Sequence, residues 1–78
     1  MPEKVKEIIA RYTETDPESI SGDSKLVEEL GLSSFDVLVI MSDIEGEFGI
    51  TVDEDMLVDI VTVNDVIKRI RELKGEDD

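Results

Sequence analysis

The sequence predicts an all-α fold of four helices in one domain, and three observations lead there. Apolar residues recur at helical spacing in separate segments, a Ser/Thr-x-x-Asp pattern heads two of them, and a glycine follows the longest. The 78 residues suffice for one domain and not for two, since domains run from ~50 residues upward with a mode near ~100 to 150. No internal repeat interrupts the chain, so residues 1–78 are read as a single unit.

Val5, Ile8, Ile9 and Tyr12 follow i, i+3, i+4, i+7 spacing behind Pro2, which predicts a first helix from Pro2 to about Glu14. Thr13 to Asp23 holds Pro17, Gly22 and short polar side chains that compete for backbone hydrogen bonds, so a long loop is expected. Ile20, Leu26, Val27 and Leu30 are its candidate anchors. Val37 to Met41 taken alone reads as a buried strand, yet Phe35 to Phe48 sustains helical spacing over about four turns, too long for a typical strand. Ser33 with Asp36 resembles a capping box and Gly49 a C-terminal cap, which bound this second helix.

Asp53, Glu54 and Asp55 suit the positive end of a short third helix reaching Ile60. Thr62 with Asp65 repeats the capping pattern and opens a fourth. There Val66, Ile67, Ile70 and Leu73 form the expected buried stripe, and Lys68, Arg69, Arg71 and Lys74 lie toward the negative end. Residues 75–78 are expected to fray as a disordered tail.

Histidine and cysteine are both absent, which leaves any acid/base or metal chemistry to carboxylates alone. A serine hydrolase lacks its base, and Phe35 stands where a nucleophile elbow needs its second glycine. Phosphate loops, dinucleotide fingerprints and the calcium-loop spacing are missing, so Asp53, Glu54, Asp55 and Asp59 read as a solvated helix start rather than a metal site. No apolar run approaches membrane-spanning length and no signal-peptide pattern opens the chain, which predicts a soluble cytoplasmic protein.

The net charge is −13, concentrated in the middle: residues 16–60 carry thirteen acids against Lys25 alone. Such a field repels nucleic acid and anionic membrane and steers proteins that present a basic patch. Solubility is the plainer explanation of the same charge.

Glu28-Glu29-Leu30-Gly31-Leu32-Ser33-Ser34-Phe35-Asp36 resembles the acyl carrier protein family, in which an acidic-Leu-Gly stretch leads into Asp-Ser-Leu at the head of the second helix. Ser34 takes the place of the modified serine and Phe35 that of the leucine, while Ser33 stands where an aspartate is usual. The likeness runs the length of the chain, without a gap from Val5 to Ile70, and includes Phe48-Gly49-Ile50 and Thr62-Val63.

The resemblance implies a four-helix bundle with a long loop between helices 1 and 2. It also implies a covalent 4′-phosphopantetheine on Ser34, added from coenzyme A by a phosphopantetheinyl transferase, with the domain itself non-catalytic. On the residues alone, Ser33 and Ser34 read equally well as helix-capping serines. The implied docking face comprises Ser33, Phe35, Asp36, Leu38, Val39, Ser42, Glu45, Gly46 and Glu47, facing acyl-transferring, condensing and acyl-modifying enzymes with basic patches. Val39 and Gly46 replace acids of the fatty-acid-synthesis type and Ser42 replaces a methionine. The expected protein is a monomeric carrier of acyl intermediates in fatty acid or related biosynthesis. The alternatives are a specialised polyketide, aminoacyl or peptidyl carrier and, from another class, an unmodified acidic helical adaptor.

Overall fold

The computed structural model describes residues 2–75, the side chain of Met56 excepted. These form three α-helices, α1 (Pro2–Ala10), α2 (Ser34–Phe48) and α3 (Val63–Lys74), with 3-10 turns at Pro17–Ser19 and Glu54–Asp59. The described residues contain no strand, only an isolated antiparallel bridge between Lys25 and Thr62. The predicted all-α class stands. The expected tail falls mostly on residues 76–78, outside the described residues, and Gly75 is the left-handed C-cap of α3.

α1 is the hub of the packing: it touches α2, α3 and the Pro17–Ser19 turn, so Val5, Ile8 and Ile9 are buried from several sides. It ends about a turn earlier than its periodicity suggests. The N–H groups of Arg11, Tyr12 and Thr13 bond three residues back, to Ile8, Ile9 and Ala10, which tightens the chain out of the α-helix. The Thr13 hydroxyl then takes the Thr15 N–H at 3.1 Å, giving the backbone a local alternative to continuing the helix.

The connection from α1 to α2 is held in place along its length. Ile20, Leu26 and Leu32 are each at most 3% exposed and pin it to the core. Leu30 is half-buried, but Val27, expected as an anchor, is 54% exposed because its neighbour Leu26 takes the inward position. Backbone bonds complete the attachment: Leu26 N–H to the Val61 carbonyl at 2.9 Å, Val63 N–H to Ser24 at 3.2 Å, and Asn64 N–H to Gly22 at 2.8 Å. This loop therefore lies against the start of α3.

α2 resolves the ambiguity of its apolar run in favour of helix. Val37, Ile40, Met41 and Ile44 are buried at helical spacing, while Phe35 and Leu38 point outward. Its left-handed C-cap is Gly49, as the sequence suggests. At the place of the expected short third helix lies a 3-10 helix, Glu54–Asp59. Six residues gain too few i→i−4 bonds to offset nucleation, and the side chain of Asp53 caps nothing. Leu57 and Ile60 lean on the core, and Asp59 reaches Arg69 of α3 at 4.0 Å. α3 buries Val63, Val66, Ile67 and Ile70, with Leu73 half-buried at the edge of the stripe.

The core is purely apolar: among the described residues no polar or charged residue is buried. Without directional polar contacts inside, register is set at the helix ends and by the loop clamp. Two glycines test this in opposite directions. A Cβ at Gly46, inside α2, meets nothing within 4 Å, so Gly46→Ala should stabilise the fold by about 1 kcal/mol in urea denaturation. A Cβ at Gly22 would stand 2.3 Å from Asn64 Oδ1 and displace that side chain from Asp23, so Gly22→Ala should destabilise by about 1 kcal/mol. Equal signs for the two changes would contradict this placement of the loop.

Candidate functional site

The head of α2 is assembled by four consecutive residues with separate tasks. Gly31 adopts φ 74°, a left-handed conformation natural to glycine, and turns the chain so that Leu32 drops into the core. Ser33 is the N-cap: its hydroxyl accepts the Asp36 N–H at 3.1 Å, and the Asp36 carboxylate accepts the Ser33 N–H at 3.0 Å. Ser34 is the first residue of α2, exposed, and its hydroxyl has no hydrogen-bond partner among the described residues. The two serines are thus distinguished: Ser33 caps, and Ser34 does not.

Beside Ser34 lies an open cleft of about 340 Å³, walled by Val27, Val37, Leu38, Leu57 and Ile60, with Glu54 at its edge. The cleft is mainly apolar, and it is the loop, α2 and the 3-10 turn together that form it. The N–H groups of Ser34 and Phe35 have no acceptor among the described residues, so they add to the positive end of the α2 dipole at the serine. No group of three or more His, Cys, Asp or Glu side chains is placed to hold a metal among the described residues.

A phosphopantetheine-attachment family model matches residues 3–70 of the chain. The acyl carrier protein of Thermotoga maritima is 36% identical over 72 residues, covering 92% of this chain and 89% of its own length. The chain belongs to the acyl carrier protein family. That of Rickettsia massiliae is 40% identical over 70 residues, covering 90% of this chain and 81% of its own, and that of a Sulfurovum species is 38% identical over 66 residues, covering 85% and 88%.

The cofactor of this family is 4′-phosphopantetheine, and the residues present fit it. An exposed, unpartnered hydroxyl offers an attachment point, and the free N–H groups at the helix start favour an adjoining phosphate. The apolar cleft flanks the same point.

The remaining residues expected on a docking face are spread over different environments. Phe35, Ser42, Gly46 and Glu47 are exposed, Leu38 is exposed at the cleft wall, and Val39 is half-buried. Asp36 is engaged in the cap. Glu45 accepts the Val52 N–H at 2.6 Å and so holds the chain leaving α2, a role that no local pattern announces because its partner lies seven residues on. Glu47 stands 3.9 Å from Lys4. The structure also brings in Val27, Leu57, Ile60 and Glu54 around Ser34, which the sequence reading had not placed in the site.

Two titrating groups hold this frame. Tyr12 donates its hydroxyl proton to Asp43 on α2, and that hydrogen bond, then burial and the Asp43 charge, raises its pKa above the usual tyrosine value. Asp65 accepts the N–H groups of Thr62 and Val61, and these bonds, the Thr62 one foremost, hold its carboxyl below the usual aspartate value. The raised Tyr12 contributes stability below the unfolded tyrosine pKa and loses it as pH rises through the folded value. The lowered Asp65 contributes above the unfolded aspartate pKa and loses it as pH falls through the folded value. Melting temperatures should therefore decline at both extremes. Tyr12→Phe should flatten the alkaline limb alone and Asp65→Asn the acid limb alone; unchanged limbs would show that these bonds do not form in solution.

Proposed function

We propose that this chain is a discrete, non-catalytic carrier of acyl groups for fatty acid or related acyl-chain biosynthesis, with the phosphopantetheine arm attached to Ser34. The observation that carries this reading is the Ser34 hydroxyl: exposed, unpartnered, and at the start of α2 beside an apolar cleft. When bound, the arm supplies a terminal thiol that carries acyl groups as thioesters, which gives thiol chemistry to a chain without cysteine. The protein's own part is to present the hydroxyl, to hold it rigid through the cap, and to offer an apolar wall for what the arm carries.

In this reading the Glu54–Asp59 segment takes the place of a short third helix in a four-helix bundle of acyl-carrier type, and residues 11–33 are its long connection. A phosphopantetheinyl transferase modifies Ser34. Enzymes that transfer, condense or modify acyl groups then meet the surface around it. The carrier acts as a monomer in the cytoplasm. No helix among the described residues is long and apolar enough to cross a membrane.

Incubation with coenzyme A and a phosphopantetheinyl transferase, followed by intact mass and peptide fragmentation, tests the assignment. One phosphopantetheinyl group per chain, localised to Ser34, is the expected result. Addition at another serine, or none, would refute it.

A further inference from the structure

We propose that Arg69 of α3 is a positioning residue that, through Asp59, holds the 3-10 turn against the cleft beside Ser34 and so limits the length of acyl chain the cleft takes in. Resting on the carrier reading above, this gives a residue outside the apolar cleft a part in choosing the cargo.

The residues lining that cleft are attached very differently. α2 supplies Ser34, Val37 and Leu38 from a helix that a capping box closes and that buries one whole face. Glu54, Leu57 and Ile60 come from the turn Glu54–Asp59 and its C-cap. Asp53 makes no side-chain bond there, and the capping N–H, that of Ile60, bonds only to Leu57 inside the same turn. Among the described residues no hydrogen bond joins residues 54–59 to another element, and their one ion pair sets Asp59 Oδ2 4.0 Å from Arg69 Nη2. Apolar contact of Leu57 and Ile60 with the core does the rest. Such a segment belongs to the low-stability end of the molecule, where even a weak ion pair decides how often it opens.

Arg69 is placed to act on the turn. Its side chain is only 26% exposed, and its other terminal nitrogen, Nη1, lies 3.3 Å from Glu72 further along α3. Asp59, Ile60, Asp65, Lys68, Arg69 and Glu72 together line a second, polar cleft of about 250 Å³. Ile60 lines both clefts, so the surroundings of the guanidinium and the wall beside Ser34 meet at one residue. Asp59 and Glu72 share that guanidinium, and the nearer carboxylate, Glu72, weakens its pull on the farther. A chain long enough to need more room must push Leu57 and Ile60 outward, since the head of α2 and the junction of the loop with α3 are bonded in place. The tether opposes that movement and leaves short chains unaffected.

Two readouts test this, one on the unmodified full-length chain and one on the chain loaded at Ser34 with butyryl- or dodecanoyl-phosphopantetheine. The variants are Asp59→Asn, at an exposed side chain, and Arg69→Met, which keeps an apolar stem in place. In hydrogen exchange each should speed the amides of residues 54–60 about threefold, as loss of one exposed ion pair would, and leave those of α1 and α2 unchanged. The double variant should be no faster than either single one, because both remove the same bond. Glu72→Gln, which frees the guanidinium for Asp59, should slow the same amides. In hydroxylamine cleavage of the thioester, a chain held in the cleft shields the bond. The ratio of butyryl to dodecanoyl cleavage rates should therefore rise about threefold in Asp59→Asn and Arg69→Met and fall in Glu72→Gln. Unchanged exchange in the Asp59 and Arg69 variants, a Glu72→Gln effect of the same sign as theirs, or cleavage altered equally for both chain lengths would overturn the inference and leave the carrier reading intact. A wild-type chain that accepts no phosphopantetheine at all would overturn both.

Discussion

The reciprocal hydrogen bonds between Ser33 and Asp36 fix the residue at which α2 begins, and the rest of the site depends on that boundary. With the cap at Ser33, Ser34 is the first helical residue and its side chain is free. The same register sends Val37, Ile40, Met41 and Ile44 inward and leaves Phe35 and Leu38 outside. A shift of the boundary by one residue would rotate every side chain by about 100° around the helix. The core would then lose its apolar stripe and the serine its position together.

A second constraint keeps the surroundings of Ser34 in place. The loop before α2 is bonded to the start of α3 through Gly22, Ser24 and Leu26, and the Thr62–Asp65 box caps that same helix end. Val27 follows directly from the bonded Leu26, and Ile60 lies just before the capped Thr62. Two lining residues of the cleft are thus set by one junction, while α2 supplies Ser34, Val37 and Leu38. Since the core contains no buried polar group among the described residues, these end-of-helix bonds supply the directional specificity that apolar packing lacks.

Much of this was legible in the sequence where the interactions are local. The partners of both capping boxes lie three positions apart, so they could be read together, and the stripes of α2 and α3 follow from spacing alone. The proposal of Ser34 as the attachment point came from the sequence only through the family resemblance, because the capping pattern assigns a task to Ser33 and none to its neighbour. What escaped depends on distant partners. Tyr12 meets Asp43 across 31 positions, Glu45 reaches Val52 beyond the helix end, and Val27 turns outward because Leu26 fills the core. The short third helix was legible as a helix but not in its type, because an acidic start suits either type and a segment of six residues is decided by its length. The net charge was plain, but which acids remain unpaired is a property of the fold.

The division of labour between the two serines is the central claim, and comparing Ser33→Ala with Ser34→Ala on two readouts tests it most directly. Ser33→Ala should lose about 1 kcal/mol of stability in urea denaturation through the missing cap and still accept phosphopantetheine. Ser34→Ala should keep its stability within about 0.5 kcal/mol and accept none. If Ser33→Ala abolishes the modification at full stability, or Ser34→Ala is the variant that unfolds, the roles assigned to these residues are wrong.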